Sequence, residues 1–132
     1  MVNNNKLNEA TNAKIENYFQ NIKCVVEKTN HPLLMHTLAY FYLHGIGTNN
    51  DDKLAFDWFS RASELGNTNS MVELSNFYKD GRVVDVDTIK AYDLSKEAAD
   101  LSSPIGMTQL AYFYAYGIVV PKDTRKAFDL TK

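Results

Sequence analysis

The sequence contains one cysteine, few arginines and no long apolar run. Cys24 alone excludes an intramolecular disulfide and is typical of a reducing compartment. Arg61, Arg82 and Arg125 lie far apart, and a formal net charge of −2 disfavours a nucleic-acid binder. No uncharged apolar run approaches the roughly 20 residues of a membrane span, and residues 1–10 hold no apolar signal segment. These absences predict a cytoplasmic protein that binds neither nucleic acid nor a membrane.

The composition is that of an ordinary globular protein. The chain has 132 residues, of which 45% are hydrophobic and 23% are charged. This balance supports a hydrophobic core and is not that of a disordered chain. The length predicts a single domain over 1–132.

The sequence repeats itself every 36 residues. LAYFYLHG at 38–45 recurs as LSNFYKDG at 74–81 and as LAYFYAYG at 110–117. The same spacing relates further groups of positions, namely Met35, Met71 and Met107; Asp51, Asp87 and Asp123; Ala55, Ala91 and Ala127; and Phe56, Tyr92 and Phe128. Chance does not give so many matches at one offset, so the chain is predicted to be a repeat protein.

Each repeat unit is predicted to be a pair of helices. The first helix covers 32–44 in unit one, where Leu34, Leu38, Phe41 and Tyr42 form a helical stripe that Gly45 ends. Asp51 is placed to cap the second helix, which runs to about residue 65. One face of this second helix is predicted to carry Ala55, Trp58, Ala62 and Leu65, and Gly66 ends it.

The residues before the first unit predict one more helix. Over 12–28, Ile15, Tyr18 or Phe19, Ile22 and Val26 recur at helical spacing. We expect this helix to cover the open edge of unit one, as terminal elements of repeat arrays do, and Cys24 to lie near the surface.

The predicted units are 33–66, 69–102 and 105–132. By the phase of the earlier units, the last helix would continue to about residue 137, five positions beyond Lys132 (101 plus 36). Phe128 and Leu130 therefore lack a following helix to cover them. Either the sequence is a fragment of a longer array, or this edge packs on another chain.

The repeated pattern resembles a known family. L-A/G-x-x-Y-x-x-G followed by D-x-x-K/L-A and an alanine-rich second helix is similar to the Sel-one-like repeat (SLR), a relative of the tetratricopeptide repeat. The resemblance covers residue 33 to the C-terminus and implies an all-α fold, a right-handed αα-superhelix (solenoid) of about three helix-pair repeats. It also implies an adaptor that holds protein complexes together.

Three features depart from the family pattern. Val83 and Val119 replace the second glycine of unit one, Gly47. Because valine tolerates a positive φ poorly, we expect the loops of units two and three to follow another backbone path. Ser102 stands where Gly66 ends the earlier helix, and the paired cysteines of the disulfide-stapled branch are missing.

No catalytic or metal-binding pattern is present. The histidines are His31, His36 and His44, with no H-E-x-x-H and no pair four residues apart. His36 and His44 share a helix face but lie about 12 Å apart along its axis, too far for one ion. Gly45 and Gly47 follow a helix, whereas a phosphate loop precedes one. We therefore predict no enzyme activity and no cofactor.

Ten positions on the first helices are predicted to line a concave groove that binds a protein or peptide. Core positions are nearly identical between units, whereas these positions differ, which a purely structural position does not require. They are His36, Tyr40 and His44 in unit one; Val72, Asn76, Lys79 and Asp80 in unit two; and Thr108, Tyr112 and Tyr116 in unit three. Tyrosine suits a binding surface, and the amide of Asn76 suits a peptide backbone.

Alternatives to this interpretation remain open. The tyrosines could instead pack against neighbouring helices, with the variation between units reflecting drift. The protein could be a self-associating structural unit that uses its open ends, or an enzyme that the sequence does not reveal.

Overall fold

The computed structural model describes the backbone of residues 4–132 and the side chains of residues 8–132. The prediction that residues 1–10 form no signal segment lies partly outside them. The described residues form seven α-helices and no strand. The helices are α1 (Asn4–Lys28), α2 (Pro32–His44), α3 (Asp52–Glu64), α4 (Thr68–Asp80), α5 (Thr88–Asp100), α6 (Pro104–Tyr116) and α7 (Thr124–Leu130).

The helices are stacked in pairs along the chain. In each unit the first helix packs against the second (α2 on α3, α4 on α5, α6 on α7), and α3 and α5 pack in turn against the next unit. The predicted all-α solenoid is confirmed. Helix α1 packs on α2 and begins eight residues before the predicted start at residue 12, but it ends at Lys28 as predicted.

Side-chain caps start the helices where the sequence places them. Asp51, Asp87 and Asp123 cap the second helices, each accepting from the backbone N–H three residues ahead at 2.9 to 3.0 Å. Asn67 and Ser103 do the same for α4 and α6. Gly45, Gly81 and Gly117 end the first helices in the left-handed conformation. Side-chain capping therefore fixes the start of every second helix and of α4 and α6, whereas α2 begins at Pro32 without a side-chain cap on His31.

The buried face of α3 differs from the predicted face at two positions, Trp58 and Leu65. Phe59 is fully buried (0% exposed), with its ring centroid 5.3 Å from that of His36 and 6.1 Å from that of Phe77. Trp58 is only partly buried beneath the Arg61 guanidinium, and Leu65 is half exposed. Because α3 is packed between α2 and α4, its buried stripe is centred on Ala55, Phe59 and Ala62, not on Trp58.

Helix α1 is also buried on one side only. Phe19, Ile22 and Val26 are buried, whereas Tyr18 is exposed although its ring contacts Phe41 at 5.9 Å. Cys24 is exposed, as predicted.

The prediction of a different loop path in units two and three is wrong. Val83 and Val119 both have φ 67°, nearly the φ 69° of Gly47. The loop after α4 is held by backbone hydrogen bonds from Arg82 N to Phe77 O (3.0 Å) and from Asp87 N to Tyr78 O (2.9 Å), and the other units have the equivalent bonds. These bonds impose the same path in all three units. They outweigh the roughly 1–2 kcal/mol that a left-handed conformation costs a non-glycine residue.

Candidate binding groove

The first helices of the units are joined directly by side chains. The His36 ring nitrogen Nδ1 lies 2.9 Å from Ser70 Oγ, and the Asn76 and Gln109 amides are 2.8 Å apart. On the other side of the array, a cleft of about 300 Å³ separates α3 from α5; it is lined by Phe56, Ser60, Ser63, Glu64, Leu74, Tyr78, Lys90 and Leu94. The array therefore curves with α2, α4 and α6 on the inside. We call the exposed side chains of these three helices the concave face.

Six of the ten predicted groove residues are exposed on the concave face: Tyr40, His44, Asp80, Thr108, Tyr112 and Tyr116. The rings of Tyr40 and His44 are in tilted contact at 4.2 Å between centroids, and those of Tyr112 and Tyr116 at 4.9 Å. Both pairs are four residues apart, so each ring pair forms a continuous aromatic surface along one side of its helix. Tyr116 is 69% exposed, which is unusual for so large a ring.

Val72 does not reach the concave face. Its side chain is 5% exposed and belongs to the same core cluster as Met71 and Ala98. The prediction that Val72 lines the groove is therefore wrong. Val72 packs with Ala98 of α5, whereas the equivalent position of unit one, His36, is only partly buried.

His36 is half buried and joins units one and two. Its ring contacts Phe59 at 5.3 Å and its Nδ1 is bonded to Ser70, whose side chain is fully buried. Burial lowers the pKa of His36 below its ordinary value. These contacts give His36 a role in packing between units.

Asn76 and Lys79 are partly buried and contact unit three. The Asn76 amide meets Gln109, which in turn lies 3.0 Å from Ser95 Oγ. The Lys79 amine lies 5.2 Å from the centre of the Tyr112 ring, a cation–π distance. Both residues therefore stand at the junction between α4 and α6.

Two cavities open on either side of α4, one between α4 and α6 and one between α2 and α4. One of about 190 Å³ is lined by Lys79, Thr108, Gln109, Tyr112 and Phe113. The other, of about 40 Å³, is lined by Leu43, Glu73, Asn76, Phe77, Asp80 and Arg82. The predicted groove residues thus contribute to both cavities, together with residues that the prediction did not include.

Glu73 and Gln109 are two polar residues of the cavity linings that sequence reasoning missed. They occupy the same repeat position, which is Thr37 in unit one, and this position differs in all three units. The criterion of variation between units would therefore have found them. They were not predicted because only positions at a fixed offset from the core residues of each first helix were expected to line the groove.

Glu73 has an unusual electrostatic environment. The structure gives its carboxylate no ion pair or hydrogen bond within the described residues. Burial raises the pKa of Glu73 above its ordinary value, and the nearby His44 and Arg82 partly oppose this rise. Arg82 itself donates from Nε and one terminal nitrogen to both carboxylate oxygens of Asp52, each at 2.8 Å.

We expect Glu73→Gln to raise the melting temperature at pH 7 by roughly 2 °C. Because the folded-state pKa is raised, ionisation of Glu73 lowers stability as the pH rises from the unfolded value of 4.5 through the folded value. Glutamine resembles the protonated form, so the gain should disappear at pH 3. Thermal denaturation at both pH values tests this, with the exposed Glu97→Gln as the control. A loss of stability at pH 7 would contradict the assigned environment.

Two kinds of feature, a metal-binding cluster and a membrane-spanning helix, are not found among the described residues. The part of the chain that the structure describes contains no group of three or more histidine, cysteine, aspartate or glutamate side chains that is arranged to hold a metal ion. Of the helices formed by residues 4–132, none is long and apolar enough to cross a bilayer. What the concave face presents is aromatic rings, amides and carboxylates around two cavities.

Comparison with known proteins identifies the repeats. The model of the Sel1 repeat family matches residues 33–67, 68–103 and 104–132. No curated protein is similar enough in sequence to count as a relative.

Solved structures with the same fold include three bacterial proteins. A Sel1 repeat protein from Oxalobacter formigenes has a TM-score of 0.80 and 24% identity, covering 87% of this chain and 46% of that one. The protective antigen c5321 of uropathogenic Escherichia coli, which displays an SLR fold, has a TM-score of 0.80 and 23% identity, with 88% and 25% covered. Helicobacter pylori cysteine rich protein B has a TM-score of 0.63 and 25% identity, with 85% and 84% covered. The chain thus spans less than half the length of the first two proteins.

Proposed function

Because the chain belongs to the Sel1 repeat family, whose members are generally protein–protein interaction scaffolds, we propose that it is a non-enzymatic adaptor that holds a partner segment on its concave face. The observation that carries this proposal is the two exposed aromatic pairs, Tyr40 with His44 and Tyr112 with Tyr116. Large rigid rings with a polar tip contribute much of the binding energy at protein interfaces.

Tyr40 and Tyr112 do not belong to the aromatic core of the repeats. Phe41 and Tyr42 belong to the aromatic cluster against Phe19, and the equivalent Phe77 and Phe113 are buried. Tyr40 and Tyr112, which occupy the preceding position in the repeat, remain substantially exposed. Their rings are available to a partner without disturbance of the helix packing. We place the protein in the cytoplasm, where the exposed thiol of Cys24 stays reduced.

The double change Tyr40→Ala/Tyr112→Ala should abolish capture of the partner and leave the helical melt nearly unchanged. Affinity capture from the source cell, read by mass spectrometry, is compared between wild type and this variant. The control Tyr18→Ala/Phe128→Ala removes two exposed rings from α1 and α7, outside the concave face, and should capture as wild type does. Unfolding of the Tyr40/Tyr112 variant would show that the rings are structural and would overturn the proposal.

Self-association through the C-terminal edge is the second candidate. Phe128 on α7 is 65% exposed, and Val119 and Tyr116 of the same unit are also exposed. An apparent mass that rises with protein concentration, without any captured partner in the same experiment, would favour this candidate over the groove.

A further inference from the structure

A chain of polar contacts crosses the second and third units and ends at Asn76. Ser75 Oγ lies 2.7 Å from the Ala91 carbonyl oxygen and 2.8 Å from Ser95 Oγ. Ser95 Oγ lies 3.0 Å from the Gln109 amide, and that amide lies 2.8 Å from the Asn76 amide. Ser75 and Ser95 are fully buried, so solvent water cannot donate a hydrogen bond where a proton is missing from this series of contacts.

The number of hydroxyl protons decides which group donates in each of these contacts. With Gln109 Oε1 facing Ser95, the two hydroxyls have two protons for three contacts, and one close oxygen–oxygen contact has none. Amide groups turn by 180° with little change in shape, and turning Asn76 and Gln109 together removes this conflict. In the structure Gln109 Nε2 donates to Asn76 Oδ1 and Ser95 Oγ donates to Gln109 Oε1. With both amides turned, Asn76 would donate to Gln109, Gln109 to Ser95, Ser95 to Ser75, and Ser75 to the Ala91 carbonyl. The Asn76 side-chain group that has no partner in this hydrogen-bond network is consequently the carbonyl oxygen.

This direction makes one stripe of α4 rich in acceptors. Glu73, Asn76 and Asp80 follow one another at helical spacing, and all three line the 40 Å³ cavity. Within the described residues, neither carboxylate has an ion pair or a side-chain hydrogen bond. Arg82 lines the same cavity and His44 lies near Glu73, but Arg82 donates its hydrogen bonds to Asp52 and the Lys79 amine lies over the Tyr112 ring. Among the side chains that the structure describes, none donates a hydrogen bond to either carboxylate of the stripe.

The larger cavity lies directly beside this stripe. Gln109 lines the larger cavity, Asn76 lines the smaller one, and the two amides are 2.8 Å apart. The larger cavity has a volume of about 190 Å³, which equals that of about six water molecules at roughly 30 Å³ each. An apolar side chain that entered the cavity would displace this water. Packed helices lie about 8–10 Å apart, and alternate side chains of an extended peptide are about 7 Å apart. Two side chains of one extended segment therefore match the two cavities.

We propose that the concave face binds an extended segment that places a basic side chain, preferably arginine, on the Glu73–Asn76–Asp80 stripe and an apolar side chain two residues away in the cavity beside Tyr112. Arginine fits the stripe because a planar guanidinium offers five donors and stays charged when it is partly desolvated. The apolar side chain meets the Tyr112 and Phe113 rings. This inference rests on the proposed adaptor function and adds the chemistry of the partner.

A random dodecapeptide library displayed on phage tests the proposal. We expect selection on the wild-type protein to enrich peptides with arginine or lysine two residues from an apolar residue. Counter-selection on Tyr40→Ala/Tyr112→Ala removes peptides that bind outside the concave face. Enriched peptides that depend on these tyrosines but are acidic, or have no basic residue, would overturn the inference and leave the adaptor function standing. If no enriched peptide depends on the tyrosines, both fail.

A second measurement uses a synthetic copy of the most enriched peptide. Glu73→Gln/Asp80→Asn should weaken its binding about tenfold or more, because hydrogen bonds to charged groups are lost. The control Asp93→Asn/Glu97→Gln makes the same change in net charge on exposed positions of α5 and should leave the affinity unchanged. Equal losses in both variants would show a general charge effect and would overturn the assignment of the stripe.

Discussion

Gly106→Ala should lower the free energy of unfolding by about 1–3 kcal/mol. A Cβ atom at this position would lie 2.7 Å from the Cβ of Ala98 and 2.8 Å from the backbone nitrogen of Ala99. Helices α5 and α6 would have to move apart, because neither contact is with a flexible side chain. Chemical denaturation of the variant and of the wild type measures the difference.

Whether Gly106→Ala lowers or raises the free energy of unfolding shows whether helix packing or helix propensity dominates at this position. Helix propensity alone predicts that alanine in place of a helical glycine adds about 1 kcal/mol of stability. Ile105→Ala, one residue earlier on the same helix and half exposed, serves as the control and should change stability little. A gain in stability for Gly106→Ala would show that the close approach of α5 and α6 is not needed.

Gly47→Val should destabilise the protein by about 2–5 kcal/mol, and the loss should be concentrated in α1. The first atom of the new side chain would lie 2.8 Å from the carbonyl oxygen of Ile15 and 2.9 Å from the Cβ of Phe19. Helix α1 would then leave its place on α2 and expose Phe19, Ile22 and Val26. Hydrogen exchange, followed helix by helix, should show loss of protection in α1 first.

The repeat supplies the matched control for this change. Val83 occupies the equivalent position in unit two at nearly the same φ, so Val83→Gly alters the same backbone conformation where a side chain is tolerated. It should be neutral or slightly stabilising, since relief of backbone strain offsets the added freedom of glycine in the unfolded chain. If Gly47→Val were as mild as Val83→Gly, the contact with α1 would not matter.

The valines show where local reasoning about backbone conformation fails. Valine at a positive φ is unfavourable for a short peptide, and the sequence therefore predicts another loop path for units two and three. In the folded chain the flanking hydrogen bonds fix that path regardless of the residue. Glycine is needed at residue 47 for a different reason, the close approach of α1, which no local pattern in the loop reveals.

The candidate site was predictable in part. Variation between units correctly picked out Tyr40, Tyr112 and Tyr116 as exposed residues of the first helices. It did not predict that Val72 is buried, because burial at this position depends on packing against α5. The pairing of Asn76 with Gln109 joins residues 33 positions apart, and the register between α4 and α6 decides it.

The sequence by itself determined the repeat, the helix pairs and their caps. These depend on contacts within a few residues, such as Asp51 with the N–H of Leu54, and on an apolar periodicity that recurs unchanged every 36 residues. The tertiary structure alone decided which side of α3 is buried, why residue 47 is glycine and which acceptors face the groove. Each of these depends on the distance between helices that are remote in sequence, and a periodic pattern contains no information about that distance.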